Sequence, residues 1–170
     1  MIHKELVRTR SKGAWIALII LVIITTLAMM LSWMVQTDFG RVHVKRVRFT
    51  GENGKVIAAK LMIPDGIDAD NPAPGLIYLH GYQNNKETNA PYCIEAARRG
   101  FVVLNIDTLG RGKSQAQINE NKPGFDPVYG AQTAWNYLLD LPMVDADNCG
   151  LVFHYFFSAG SGSGLAQPGV

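Results

Sequence analysis

Three short apolar runs, each ending on a turn that carries polar chemistry, restrict this chain more than any other feature. Leu76, Ile77, Tyr78 and Leu79 follow the turn-rich Asn71-Pro72-Ala73-Pro74-Gly75, and the run stops at His80-Gly81. Phe101-Val102-Val103-Leu104-Asn105-Ile106 stops at Asp107 and the turn Gly110-Arg111-Gly112, and Gly150-Leu151-Val152-Phe153 is the third. A short apolar run between turn residues is the pattern of a strand buried on both faces. Glycine just after it lets the backbone turn sharply and approach a ligand. Helical segments separate the runs, so βαβ units and a mostly parallel sheet are expected, an α/β fold. In such sheets functional groups lie beyond the carboxyl ends of the strands, where His80-Gly81 and Asp107 both fall.

The helices between the runs have readable ends. Ala90 to Arg99 reads as one, with Pro91 at its start and Gly100 as its stop. A second is expected from about Val128 to Leu139, ended by Pro142. Ahead of the first run, Val42 to Phe49 alternates apolar and polar residues with Lys45-Arg46 out of phase, Thr50-Gly51-Glu52-Asn53-Gly54 is a turn, and Lys55 to Ile63 is a second strand. These predict an antiparallel hairpin.

The N-terminal part is of another kind. Ala14 to Val35 carries no charge, and as a helix it spans about 33 Å, enough for a hydrocarbon core of about 30 Å. Trp15 and Trp33 stand near its ends, at the depth aromatic rings prefer. A cleaved signal peptide would have a shorter apolar core and a small-x-small site after it. A retained, single-pass anchor is therefore the expectation, with membrane lipids as the partner of residues 14–35 and of the basic residues that flank them. Four Lys/Arg precede the span and four follow it closely (Arg41, Lys45, Arg46, Arg48), so the positive-inside count is a tie. A short N-terminal tail ahead of a downstream domain ordinarily stays in the cytoplasm, which leaves the domain extracytoplasmic.

The overall charge of +2 hides a split. Residues 1–48 hold eight Lys/Arg against Glu5 and Asp38, a net of +6, and the remainder has a net of −4. The basic residues collar the span, and no nucleic-acid footprint is left. Cys93 and Cys149 are too few for a disulfide framework or a zinc site and read as buried free thiols. Asp65, Asp68 and Asp70 lack the spacing and terminal Glu of a calcium loop. No metal or cofactor is called for, and no protein partner is indicated.

From about Val42 to Val152 the residues resemble the N-terminal half of an α/β-hydrolase, of the broad serine esterase, lipase and aminopeptidase kind. The likeness rests on strand then His80-Gly81, strand then Asp107-Thr108-Leu109-Gly110-Arg111-Gly112-Lys113-Ser114, and helix then Asp145 to Val152. Asp107, Gly110, Gly112 and Ser114 look like the family's D-x-x-G-x-G-x-S turn. The resemblance implies an oxyanion loop at His80-Gly81-Tyr82, with the Tyr82 N–H as one of two donors and Gly81 allowing close approach. A His80 that only hydrogen-bonds its own loop is compatible with this, because the role belongs to backbone groups.

The resemblance also implies a nucleophile elbow, G-x-S-x-G, after the third strand. The chain reads Phe153-His154-Tyr155-Phe156-Phe157 there. His154 stands where the residue before the nucleophile belongs, and Tyr155 replaces the serine with a phenol of pKa about 10. Ser158, Ser161 and Ser163 do not complete the pattern, and no Asp, Glu or His follows His154. Acyl transfer then has neither nucleophile nor base.

The expected layout is a basic tail (1–13), a transmembrane helix (14–35), a linker (36–41), a truncated hydrolase-like domain (42–157) and a disordered Gly/Ser tail (158–170). The parent activity would be serine hydrolysis of an ester, thioester or peptide bond, and the chain itself would be inactive. Leu151 to Phe157 would form an unprotected sheet edge and leave the domain marginal. A membrane-anchored, non-catalytic binding module would show the same absences. Nucleotide binding through Gly112-Lys113-Ser114 is the remaining alternative. It lacks the first glycine of a phosphate loop, since Asp107 stands there.

Overall fold

A computed structural model describes residues 2–51, 54–81, 83–118, 122–123 and 126–153. The elements are α1 (Ile2–Gln36), β1 (Val42–Thr50), β2 (Val56–Pro64), β3 (Ala73–Leu79), α2 (Lys86–Arg98), β4 (Val102–Ile106), α3 (Ala131–Leu139) and β5 (Val144–Phe153). Tyr82, His154, Tyr155 and the 158–170 tail lie outside the described residues.

The strands make one mixed sheet in the order β1-β2-β4-β3-β5. β1 pairs antiparallel with β2 as the hairpin pattern predicts, β2 is antiparallel to β4, and β3 runs parallel to both β4 and β5. α2 leaves β3 and returns into β4 over one face, where Cys93, Ala96 and Ala97 pack on Val42, Met62 and Val103. α3 crosses the other face, with Ala131, Ala134 and Leu138 packed on the larger cluster of Ile57, Leu61, Ile77, Val102, Leu104 and Ile106. Both faces of the central strands are thus covered, which is why their sequences read as continuous apolar runs. β4 and β5 flank β3, and their connections leave to opposite faces. The C-terminal end of β3 is therefore the topological switch point.

Gly75 sets how closely the layers approach. A Cβ there would meet Cys149 Sγ at 2.9 Å, Leu138 Cδ2 at 3.0 Å and Val144 Cγ1 at 3.0 Å. Gly75→Ala is expected to cost about 1–3 kcal/mol by overpacking, read as a lower urea midpoint with an unchanged slope.

Three boundaries differ from the sequence expectation. α2 starts at Lys86 rather than Ala90, because the Asn85 carboxamide accepts from the Glu87 N–H and caps the helix a turn early. Pro91 is consequently inside the helix. Its far end is as read: Gly100 (φ +92) and Phe101 donate back to Ala97 and Ala96, a Schellman closure. α3 starts at Ala131 rather than Val128, because Tyr129 and Gly130 are both left-handed (φ 51 and 92) and no right-handed helix can run through them. β5 begins at Val144, well before Gly150, with a bulge opposite Pro74/Gly75. Asp145 stabilises the bulge by accepting from the Asp147 N–H and the Asn148 amide. Cys93 is buried as expected, whereas Cys149 is only half-buried; both are free thiols. Among the described residues β5 is the sheet edge beyond β3, with Leu151 and Phe153 40% and 60% exposed.

By length and composition Lys12–Gln36 could cross a membrane, and none of it is buried against the rest of the protein. Thr25 and Thr26 donate their hydroxyls to the carbonyls of Leu21 and Val22, so neither needs water. The expected linker is a folded turn. Thr37 and Asp38 are buried, the Arg41 C=O accepts from Asp65 N–H, and Asp38 pairs with Arg98 of α2 at 2.9 Å.

Candidate functional site

β3 and β4 are parallel neighbours, so His80 and Asp107 leave the sheet side by side at its carboxyl end. Each then folds into a network of its own. His80 is 5% exposed. Its Nε2 accepts from the Thr108 N–H at 3.1 Å, with the Thr108 hydroxyl at 3.2 Å. A nitrogen accepting a backbone N–H carries no proton, so Nδ1 holds it and donates to the Gly81 carbonyl at 2.9 Å. The same carbonyl accepts from the Asn84 N–H at 3.0 Å. The ring is a latch between the β3 and β4 loops, and both of its nitrogens are engaged. The geometry favours the structural reading of this histidine and leaves any oxyanion role to backbone groups.

Asp107 is fully buried and saturated with donors. One oxygen accepts from the Lys86 N–H at 2.8 Å, at the start of α2. The other accepts from the Lys113 N–H at 2.8 Å and from the Lys86 ammonium. Burial by itself pushes the carboxyl pKa up, but the Lys86 and Lys113 hydrogen bonds and the Lys86 charge outweigh it and hold it below the usual range. Asn105 adds to the anchor by donating its amide to the Lys86 carbonyl at 2.7 Å.

The turn after Asp107 is wrapped over that carboxylate. At Gly112 (φ +52) a Cβ would stand 2.2 Å from Asp107 Cγ. Ser114 then ties the turn to β2: its hydroxyl donates to the Asp107 carbonyl at 2.6 Å and accepts from the Ala58 N–H at 2.9 Å. Gly110 (φ +81) donates to the Gln115 carbonyl at 2.8 Å. Asp107, Gly110, Gly112 and Ser114 therefore build a locked turn at the carboxyl end of β4, with the Asp107 carboxylate and the Ser114 hydroxyl engaged inside it. The phosphate-loop alternative meets a physical obstacle here, because the Lys113 N–H that would hold a phosphate is already given to Asp107.

Sequence reasoning missed Lys86. A buried aspartate at a strand end requires a cation, yet nothing local marks Lys86 as the one that turns inward. The turn cradle also stands apart from a pocket of about 270 Å³ that Phe49, Thr50, Thr133, Tyr137 and Asp140 line on the α3 side. No group of three or more metal-ligating side chains occurs among the described residues.

A sheet of order β1-β2-β4-β3-β5, helices on both faces, a histidine-glycine loop after β3 and a serine-locked aspartate turn after β4 define an α/β-hydrolase half. Solved structures with this fold agree. A hypothetical protein, PA2218, from Pseudomonas aeruginosa superposes with a TM-score of 0.55 at 26% identity, covering 65% of this chain and 35% of that one. A bacterial heroin esterase matches with a TM-score of 0.53 at 22% identity, covering 76% and 40%. An acetyl xylan esterase from Paenibacillus sp. R4 matches with a TM-score of 0.51 at 21% identity, covering 66% and 41%. The chain spans well under half the length of each of these proteins. The acetyl xylan esterase (AXE1) family model matches residues 27–130, and the chain belongs to that family. No curated protein matches it.

Proposed function

We propose that this chain is the anchored, structural half of a serine esterase, held at a membrane by α1, and that the residues present do not complete a catalytic site. The parent chemistry is acyl transfer from an ester, thioester or peptide bond to a serine, with the oxyanion held by the loop His80-Gly81-Tyr82. Esters are favoured by the family to which the chain belongs. The carrying observation is the register of β5. Phe153 pairs with Leu79, so the nucleophile elbow is due immediately after Phe153, beside the His80 loop. The residues due there are His154-Tyr155-Phe156-Phe157, without the glycines that admit a strained turn or the serine that attacks.

A shift of reading frame after Val152 would give this sequence. Sequencing the coding DNA through and beyond Leu151 in all frames tests it: a frame that yields G-x-S-x-G at once, then Asp and His, supports the proposal. If no frame does so, a non-catalytic module at the membrane becomes the better reading. Incubating the purified chain with a fluorophosphonate serine probe and with p-nitrophenyl acetate should give neither labelling nor turnover above the buffer rate. Stoichiometric labelling would overturn the assignment. Extraction of the chain from membranes by alkaline carbonate would overturn the anchor.

A further inference from the structure

The turn between α1 and β1 is built in an unusual way. Asp38 and Phe39 are consecutive non-glycine residues in the left-handed region (φ 49 and 57), followed by Gly40 at φ 88. Such backbone persists only where the surroundings impose it. The Phe39 N–H donates to the Met34 carbonyl at 2.7 Å, Gly40 donates to both the carbonyl and the hydroxyl of Thr37, and Val42 donates to the Thr37 carbonyl at 2.9 Å. The conformation so enforced holds the Phe39 ring outward, 64% exposed, immediately beyond the apolar span. Trp33, itself 58% exposed, reaches back to the same turn, where a Cβ on Gly40 would meet its ring at 3.8 Å. Asp38 points the opposite way, with only 11% of its side chain exposed, and pairs with Arg98 of α2 at 2.9 Å and with Arg41 at 3.0 Å.

A single exposed phenylalanine on a soluble surface needs no account. One held out by strained backbone, on a turn that an exposed tryptophan also reaches, and at the end of an apolar helix, matches what the lipid headgroup layer takes. We propose that Thr37–Arg41 is an interfacial wedge: Phe39 and Trp33 lodge in the headgroup layer, and Asp38 fastens the wedge to α2. The sheet domain is then fixed against the bilayer instead of trailing from a linker. This rests on the anchor reading of α1.

The test places nitroxide spin labels on the full chain in phospholipid vesicles and measures access to oxygen against access to a water-soluble nickel complex. Oxygen concentrates in lipid, the nickel complex in water, and protein burial excludes both. Labels go singly at Phe39→Cys, Ile24→Cys and Val128→Cys in a Cys149→Ala background, while the fully buried Cys93 stays unlabelled. Position 39 should favour oxygen, reversing the sign of the preference at position 128, where Val128 is 50% exposed on the sheet domain. Preference for the nickel complex at 39, with oxygen preferred at 24, overturns the wedge and leaves the anchor standing. Preference for the nickel complex at 24 as well overturns the anchor and the wedge with it.

Discussion

Asp107→Ala is expected to cost about 3–5 kcal/mol, the usual penalty for leaving one partner of a buried ion pair alone. Its side chain has no exposure and that of Lys86 only 7%, so solvent cannot replace what is lost. The substitution strands the Lys86 ammonium and also the N–H groups of Lys86 and Lys113. Lys86→Met should cost less, because the carboxylate keeps both backbone donors. Urea unfolding of the chain in detergent micelles, followed through the partly buried Trp135 on α3, gives both values. If the two variants fall equally, the backbone donors contribute nothing and the network is only an ion pair.

The same aspartate sets an acid limit. Its folded-state pKa lies below the unfolded value of about 3.9. The folded state therefore binds the proton more weakly. Its stabilisation is fully present above the unfolded value and is lost as pH falls through the folded one. Asp107→Ala should lack this component, so the gap between it and the native chain should narrow below about pH 4.

Gly112→Ala is the second large effect. The added methyl would stand 2.2 Å from the Asp107 carboxyl carbon and 2.4 Å from each of its oxygens, at a backbone φ of +52 that alanine resists. A flexible side chain could swing aside, but this carboxylate is held by three donors from two elements. The turn must open, at a cost of about 3 kcal/mol or more from strain and lost pairing together. The Asp107→Ala/Gly112→Ala double variant should lose only the backbone strain, about 1–2 kcal/mol, beyond Asp107→Ala alone, since the obstacle is gone. Full additivity would show that Gly112 matters for its own conformation and not for the carboxylate beneath it.

These residues also show where the sequence was informative. The runs ending at Leu79 and Ile106 were legible because both faces of β3 and β4 are covered, which leaves no polar alternation to confuse a buried strand with a helix. The hairpin was legible for the opposite reason, β1 being a mostly exposed edge strand with polar residues set between its apolar ones. β5 was cut short because Asp145, Asp147 and Asn148 have loop chemistry, and only the bulge opposite Gly75 lets a strand contain them. The start of α2 was missed because the Asn85 cap lies upstream of a proline that itself looks like a beginning. At the site, the aspartate turn was recognisable from the spacing of its glycines and serine. Its partner was not, because Lys86 is brought there by the β3–α2 connection and no local pattern records which lysine turns inward. Residues 36–41 read as a linker since their packing depends on Arg98, far away in the chain.

The lattice of bonds around Asp107 draws on Ala58, Lys86, Asn105, Lys113 and Ser114. None lies beyond Ser114. A chain made from its N-terminus holds every member of this lattice before β5 has been synthesised. β3 and β4 are then seated as a template on which any later strand must dock. The order of synthesis and the order of assembly coincide, so the part of the sheet that holds Asp107 does not wait on how β5 ends.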